Sequence, residues 1–119
     1  MTTKREMESM YYGTGSVETE KASRYLQQLC KHFGHKIPAE FDEWSGRLTF
    51  EPGLCLLRAT EGRLDVYCVA REDEKLEILR KVMGDHFERF AWKDSLTFTW
   101  TEGLAGDAPE SVRAAVVEE

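Results

Sequence analysis

The sequence contains little of what membrane-spanning, exported or disulfide-bonded proteins carry. No apolar run reaches the roughly 18 residues that a transmembrane helix requires. Residues 1–10 are polar and lack the apolar core of a secretory signal. The three cysteines are odd in number and lie within apolar patterns, which is typical of reduced core thiols. We therefore expect a cytoplasmic protein with no membrane partner.

Positive charge is also scarce, since 16 Lys+Arg stand against 22 Asp+Glu and the net charge is −6. Residues 101–119 hold five acids and one base, so the rest of the chain is nearly neutral. A near-neutral body with an acidic end has no general attraction for phosphate backbones. We therefore expect no nucleic-acid partner.

Two helix patterns are present. Residues 22–33 place apolar side chains on one helical face, and Thr19 precedes them as a cap. Gly34 is expected in the left-handed conformation that ends many helices, so the first helix should stop at Phe33. A second helix is predicted to begin with Asp73 as its cap. Its apolar face consists of Leu76, Leu79, Met83, Phe87 and Phe90.

Strand patterns surround these helices. Four strands are joined by the short turns Ser45-Gly46, Pro52-Gly53 and Glu61-Gly62, as in an antiparallel meander. The predicted strands of this meander are residues 39–44, 47–51, 54–60 and 63–70. Residues 16–19 and 96–100 are predicted as the first and last strands.

The resulting order, β-α-ββββ-α-β, predicts an α+β fold. It is an antiparallel sheet of five to six strands with two helices packed on one face. We expect one domain over residues 15–101, preceded by a mobile arm over residues 1–14. Residues 102–119 are expected to form an acidic tail that is disordered or makes a short helix.

Three segments carry a resemblance to a known family. Residues 24–36 (RYLQQLCKHFGHK), 85–91 (DHFERFA) and 96–100 (LTFTW) resemble the bacterial domain of unknown function 2218 family. Members of that family occur alone and attached to siderophore-interacting, flavin-dependent ferric reductase-like proteins. The resemblance therefore implies an iron or siderophore context, with such a reductase as a partner, and it supplies no catalytic residues.

The three histidines lie in the two helix endings, His32 and His35 in the first and His86 in the second. With Cys30 they are ligands that zinc, ferrous iron or copper accept. However, Cys30 and His32 would point about 200° apart on a helix. Four strands between the helices make the helices antiparallel, which we expect to keep His86 far from the end of the first helix. Structural roles are therefore favoured, with His35 and His86 as candidate metal ligands and proton transfer as the remaining alternative.

No catalytic signature is found among the other polar residues. Glu40 and Asp42 would share one face of a strand, but nothing around them indicates burial, so we interpret them as a solvated edge. No serine lies in a nucleophile elbow, and no glycine-rich loop carries the residues of a phosphate loop. The sequence requires no cofactor, and a non-enzymatic role is favoured.

The central strands are apolar on both faces. We predict that Leu54, Leu56, Leu64, Val66 and Cys68 face the helices. Their alternates would then lie on the opposite side, here called the helix-free face: Cys55, Leu57, Ala59, Tyr67 and Val69. A sheet covered on one side only should be polar on the other, so we expect a cover. The arm or tail, a homodimer partner, or a ligand on a shallow surface would supply it.

Two functional hypotheses follow. The first is a binding or interaction module that uses the helix-free face, with Leu57 and Tyr67 as binding residues and a homodimer favoured over a small ligand. The second is a small protein that binds a metal or an iron complex through His32, His35 and His86. We favour the first hypothesis.

Overall fold

The structure, a computed structural model, describes residues 11–103. Six strands and two helices follow one another in the predicted order, and a short 3-10 turn, Trp92–Asp94, precedes the last strand. The elements are β1 (Tyr11–Glu18), α1 (Ala22–Phe33), β2 (Ala39–Phe41), β3 (Ser45–Thr49), β4 (Gly53–Ala59), β5 (Arg63–Ala70), α2 (Asp73–Phe90) and β6 (Thr99–Glu102). The predicted α+β fold class is confirmed.

The strands form one antiparallel sheet in the order β2-β3-β4-β5-β1-β6. The first strand is longer than predicted, because it pairs with β5 from Tyr11 onwards and residues 11–14 belong to the sheet rather than to an arm. Its glycines hide the strand pattern in the sequence. Gly15 lies opposite Trp100, whose ring would be 2.8 Å from a Cβ at that position, so the tryptophan covers the strand where a side chain is missing.

Both helices pack on the same face of the sheet. Phe87 of α2 meets the ring of Tyr25 edge-on and stacks on Phe98, with centroids 5.2 and 4.4 Å away. The sheet contributes inward-facing side chains from β3, β4 and β5 to this core: Leu48, Cys55, Leu57, Ala59, Leu64, Val66, Cys68 and Ala70. All three cysteines are buried free thiols, as expected.

The helix termini differ in detail from the prediction. Helix α1 ends at Phe33 as expected, but Gly34 is right-handed, with φ −61°, and its N–H continues the helical pattern to Cys30 O at 2.9 Å. The hydroxyl of Thr19 accepts a hydrogen bond from Lys21 N before the helix begins. Asp73 is the first residue of α2 rather than its cap.

The first turn of the meander lies earlier than predicted. Asp42 Oδ1 accepts hydrogen bonds from the N–H groups of Trp44 and Ser45, both at 2.8 Å, so the chain turns before Ser45. These bonds lower the pKa of Asp42. Gly46, predicted in the turn, is therefore a buried residue of β3.

Within residues 11–103, neither helix combines the length and apolarity needed to cross a membrane. The segment 1–10 and almost all of the predicted acidic tail, residues 104–119, lie outside the described residues.

Candidate functional site

Two of the three histidines lie next to each other. His32 is exposed in the last turn of α1, and His86 is half-buried one turn before the end of α2. Their ring centroids are 5.0 Å apart. The expectation that His86 is far from the end of α1 is therefore wrong. Lys21, just before α1, pairs with Asp94, just after α2, at 3.1 Å. Because α1 therefore begins beyond the end of α2, its last turn lies beside His86.

A hydrogen bond orients one imidazole of this pair, and desolvation acts on the other. His86 Nδ1 donates a hydrogen bond to the carbonyl oxygen of Val82 at 2.8 Å, so Nε2 is the ring nitrogen that takes no part in this bond. Desolvation, followed by the positive charge of His86, lowers the pKa of His32. Aromatic rings of Phe33 and Phe90 contact the pair. A neutral imidazole is the form that binds metal ions.

The other candidate ligands do not join this pair. His35 lies exposed in the loop after α1. Cys30 is fully buried, and its sulfur would be 2.7 Å from a Cβ at Gly46, so it points into the sheet. Burial raises the pKa of Cys30 to about 12, which disfavours the thiolate that metals bind. Among residues 11–103, no group of three or more histidine, cysteine or acidic side chains is placed to hold a metal ion.

The helix-free face holds a second candidate site. Two cross-strand pairs of β4 and β5, Leu54 with Val69 and Leu56 with Tyr67, form its centre. We call these four residues the apolar quartet. Their side chains are 8% exposed or less, and Tyr67 is completely buried. They lie on the side of the sheet opposite both helices and outside the core between helices and sheet.

Three predicted members of this face are wrongly placed: Cys55, Leu57 and Ala59 belong to the core. Leu57 pairs with Val66 and belongs to the core beneath the helices, whereas Leu54 and Leu56 are on the helix-free face. The prediction reversed the two sides of β4 because residues 54–57 are all apolar and give no alternation. Tyr67 does lie on the predicted face.

Arginines surround the apolar quartet. Arg47 of β3 lies opposite Leu56, and Arg71 comes directly after β5, two residues beyond Val69. The other two, Arg58 and Arg63, pair with Asp65 at 3.7 and 3.1 Å. The same face therefore offers apolar contact at its centre and guanidinium groups at its rim, which suits bidentate recognition of carboxylates.

A polar network around Asp65 was not predicted from the sequence. Asp65 is 2% exposed and accepts a hydrogen bond from Ser16 Oγ at 2.6 Å as well as from Arg63 Nε. Ser16, on β1, is opposite Asp65 in the register. The signal lay in the pairing of β1 with β5, a non-local contact that no local pattern in the sequence specifies.

Comparisons with known proteins identify a matching family and a similar solved structure. A family model described as "uncharacterized protein conserved in bacteria (DUF2218)" matches residues 14–101, which confirms the resemblance seen in the sequence. The NMR structure of PA4090 from Pseudomonas aeruginosa is similar, with 32% sequence identity and a TM-score of 0.66. The alignment covers 76% of this chain and 95% of that chain. A comparison with curated proteins finds no match.

Proposed function

Because the chain belongs to the bacterial domain of unknown function 2218 family, whose description states no activity, we propose a function from its geometry. The protein is a non-enzymatic interaction module. Its helix-free face binds an acidic, partly apolar polypeptide segment. The observation that carries this proposal is the apolar quartet within a rim of arginines, on the side of the sheet opposite both helices.

The shape of the face favours a polypeptide over a small molecule. A groove at the end of these strands, lined by Leu54 and Val69 and reaching Lys75 of α2, has a volume of about 180 Å³. Drug-sized ligands occupy clefts of roughly 300–1,000 Å³, so this groove is too small to enclose one. A flat sheet surface instead suits an extended segment whose apolar side chains pack on the quartet while its acids reach the rim.

The charge of the rim disfavours a second copy of this chain as the partner. In a symmetric dimer formed face to face, each rim of arginines would meet its own image. Like charges brought together across an interface oppose association. An acidic partner avoids this repulsion. A siderophore-interacting reductase is the partner that the family resemblance suggests, and we propose it as the first one to test for such a segment.

A synthetic peptide tests the chemistry of the face. We expect the full-length protein to bind a short fluorescein-labelled peptide that alternates glutamate and leucine, measured by anisotropy. Arg47→Glu and Arg71→Glu should each weaken binding by about tenfold, because each reverses an attractive charge at the rim. Arg24→Glu, at an exposed position on α1, is the matched control and should not change the affinity.

Equal affinity for a peptide with lysine in place of glutamate would contradict the proposed recognition. Light scattering of the free protein gives a further check. A dimer that dissociates in Arg47→Glu would identify a second copy of this chain as the occupant and would also contradict it.

A second candidate function rests on the contact between His32 and His86. Two imidazoles with centroids 5.0 Å apart can both bind a zinc or copper ion whose other ligands are solvent. We expect Zn(II) or Cu(II) to raise the melting temperature, since an ion at 100 times its Kd adds about 2.7 kcal/mol to the unfolding free energy. His32→Ala and His86→Ala should abolish the rise, and His35→Ala should retain it. A rise that survives His86→Ala would exclude this site.

A further inference from the structure

We propose that Cys55 and Cys68 are a redox modification site, at which a low-molecular-weight disulfide such as oxidised glutathione forms a reversible disulfide bond across β4 and β5. The two thiols belong to the core between the helices and the sheet, so the site is distinct from the histidine pair and from the helix-free face. The bond would lock the hairpin whose other side carries the apolar quartet.

The two cysteines lie directly opposite each other. They are paired in the register of β4 with β5, and their sulfur atoms are 3.5 Å apart. The turn sets the hydrogen-bond pattern of this hairpin, since Thr60 N donates to Arg63 O. Hydrogen-bonded and non-hydrogen-bonded pairs alternate along an antiparallel hairpin, so Cys55 and Cys68, five positions further from the turn, form a non-hydrogen-bonded pair.

Non-hydrogen-bonded pairs have the spacing that a disulfide needs. Their Cα atoms are about 4.5 Å apart, within the range of about 4.4–6.8 Å found across disulfide bonds. The two sulfur atoms must approach each other by a further ~1.5 Å to reach bonding distance. Rotation of the two side chains can supply this movement, so the strands keep their places.

The third buried thiol, Cys30, is placed differently and serves as an internal control. It lies on α1, and its sulfur would be 2.7 Å from a Cβ at Gly46 of β3. Leu48, rather than Gly46, is the residue of β3 that lies opposite Cys55. The register therefore selects one of the three possible pairings of the cysteines.

The bond forms by thiol–disulfide exchange. One cysteine thiolate attacks a sulfur atom of oxidised glutathione and releases one glutathione thiolate, and the second cysteine then attacks the mixed disulfide and releases the other. The two protein thiols lose two electrons and two protons in total. The oxidised glutathione gains them and becomes two molecules of reduced glutathione, an excess of which reverses the reaction.

Because both thiols are buried, the exchange requires local opening. Burial also raises the pKa of Cys55, which disfavours its thiolate in the closed protein. Gly13 of β1 lies opposite Cys68, and the atoms nearest to the position of its missing Cβ belong to the side chain of Arg80. A flexible side chain moves more easily than a helix, so we expect the oxidant to enter here, and the exchange to take hours rather than seconds.

Peptide mapping of the full-length protein tests the pairing. After incubation with oxidised glutathione and alkylation of the remaining thiols, trypsin without reductant should release residues 48–58 joined to residues 64–71. Residues 25–31, which contain Cys30, should carry the alkyl group. A disulfide that includes Cys30, or one that joins two molecules, would overturn the inference.

A redox titration tests whether the folded protein favours the bond. The two cysteines are 13 residues apart in the chain. A disulfide that closes a loop of about this length stabilises a folded protein by a factor of about 100 in the unfolding equilibrium. By linkage, the equilibrium constant for exchange with glutathione should be about 100-fold larger in the folded protein than in urea.

Cys30→Ala is the matched control in this titration and should leave that ratio unchanged. Equal constants in the folded and unfolded protein would show that the strands do not bring the two thiols together, and would overturn the inference. Both experiments follow thiols rather than peptide binding, so their outcome is independent of the proposed function of the helix-free face.

Discussion

Among single residues, His32 is the side chain whose surroundings act most directly on a proton equilibrium near neutral pH. Desolvation between the helix ends lowers its pKa from 6.5, and the positive charges of His86, Lys36 and Arg89 act in the same direction. The charged form of His32 is therefore less favourable in the folded protein than in the unfolded chain.

This shift predicts how stability depends on pH. Below about pH 6.5 the unfolded chain binds a proton at His32 more readily than the folded protein does. The contribution of His32 to stability is therefore complete above that pH and is lost as the pH falls towards its lower native pKa. Urea unfolding from pH 8 to pH 5 should show this loss, and His32→Gln should reduce it.

His35→Gln, in the exposed loop, is the matched control for this experiment. An acid-side loss of stability that is as large in His32→Gln as in the wild type would show that other groups cause it.

The same residue shows what local sequence cannot reveal. The pattern identified the three histidines as the groups to examine, but their separation depended on how the two helices overlap. Helix α1 has 12 residues and α2 has 18, and they are offset so that Lys21, just before α1, pairs with Asp94, just after α2. That ion pair joins residues far apart in the chain, so no periodicity predicts it.

At the scale of elements, patterns that repeat locally were sufficient to predict both helices and the meander. The failure at β4 has a specific cause, because consecutive apolar residues fit either face. The turn contained the missing information: Thr60 N bonds to Arg63 O around Glu61-Gly62, and counting back from it places Leu57 opposite Val66. Register should therefore be taken from the turn when a strand is apolar on both sides.

At the scale of the whole molecule, the centre of the sheet is buried on both faces. The two faces differ in what could be predicted from their residues. The helix side forms the core, and its composition predicts the fold. The helix-free side combines the apolar quartet with arginines, a combination that the core does not require. The sequence indicated that this side of the sheet needs a cover. Only the strand register showed which side chains lie on this side. This is why the fold was predictable and the candidate binding face was only partly so.

The close packing of α1 against β3 also predicts a steric coupling between Gly46 and Cys30. Gly46 of β3 lies directly beneath α1, and a Cβ at this position would be 2.7 Å from Cys30 Sγ. Gly46→Ala should therefore lower the free energy of unfolding by about 1–3 kcal/mol, because the helix must move away from the sheet. Cys30→Ala removes the sulfur, so the double variant should lose less than the sum of the two single losses, by about 1 kcal/mol. Gly62→Ala, where no atom lies within 4 Å of the added Cβ, is the control in the same urea titrations. Strictly additive losses would mean that the contact between Cys30 and Gly46 does not set the spacing of the helix and the sheet.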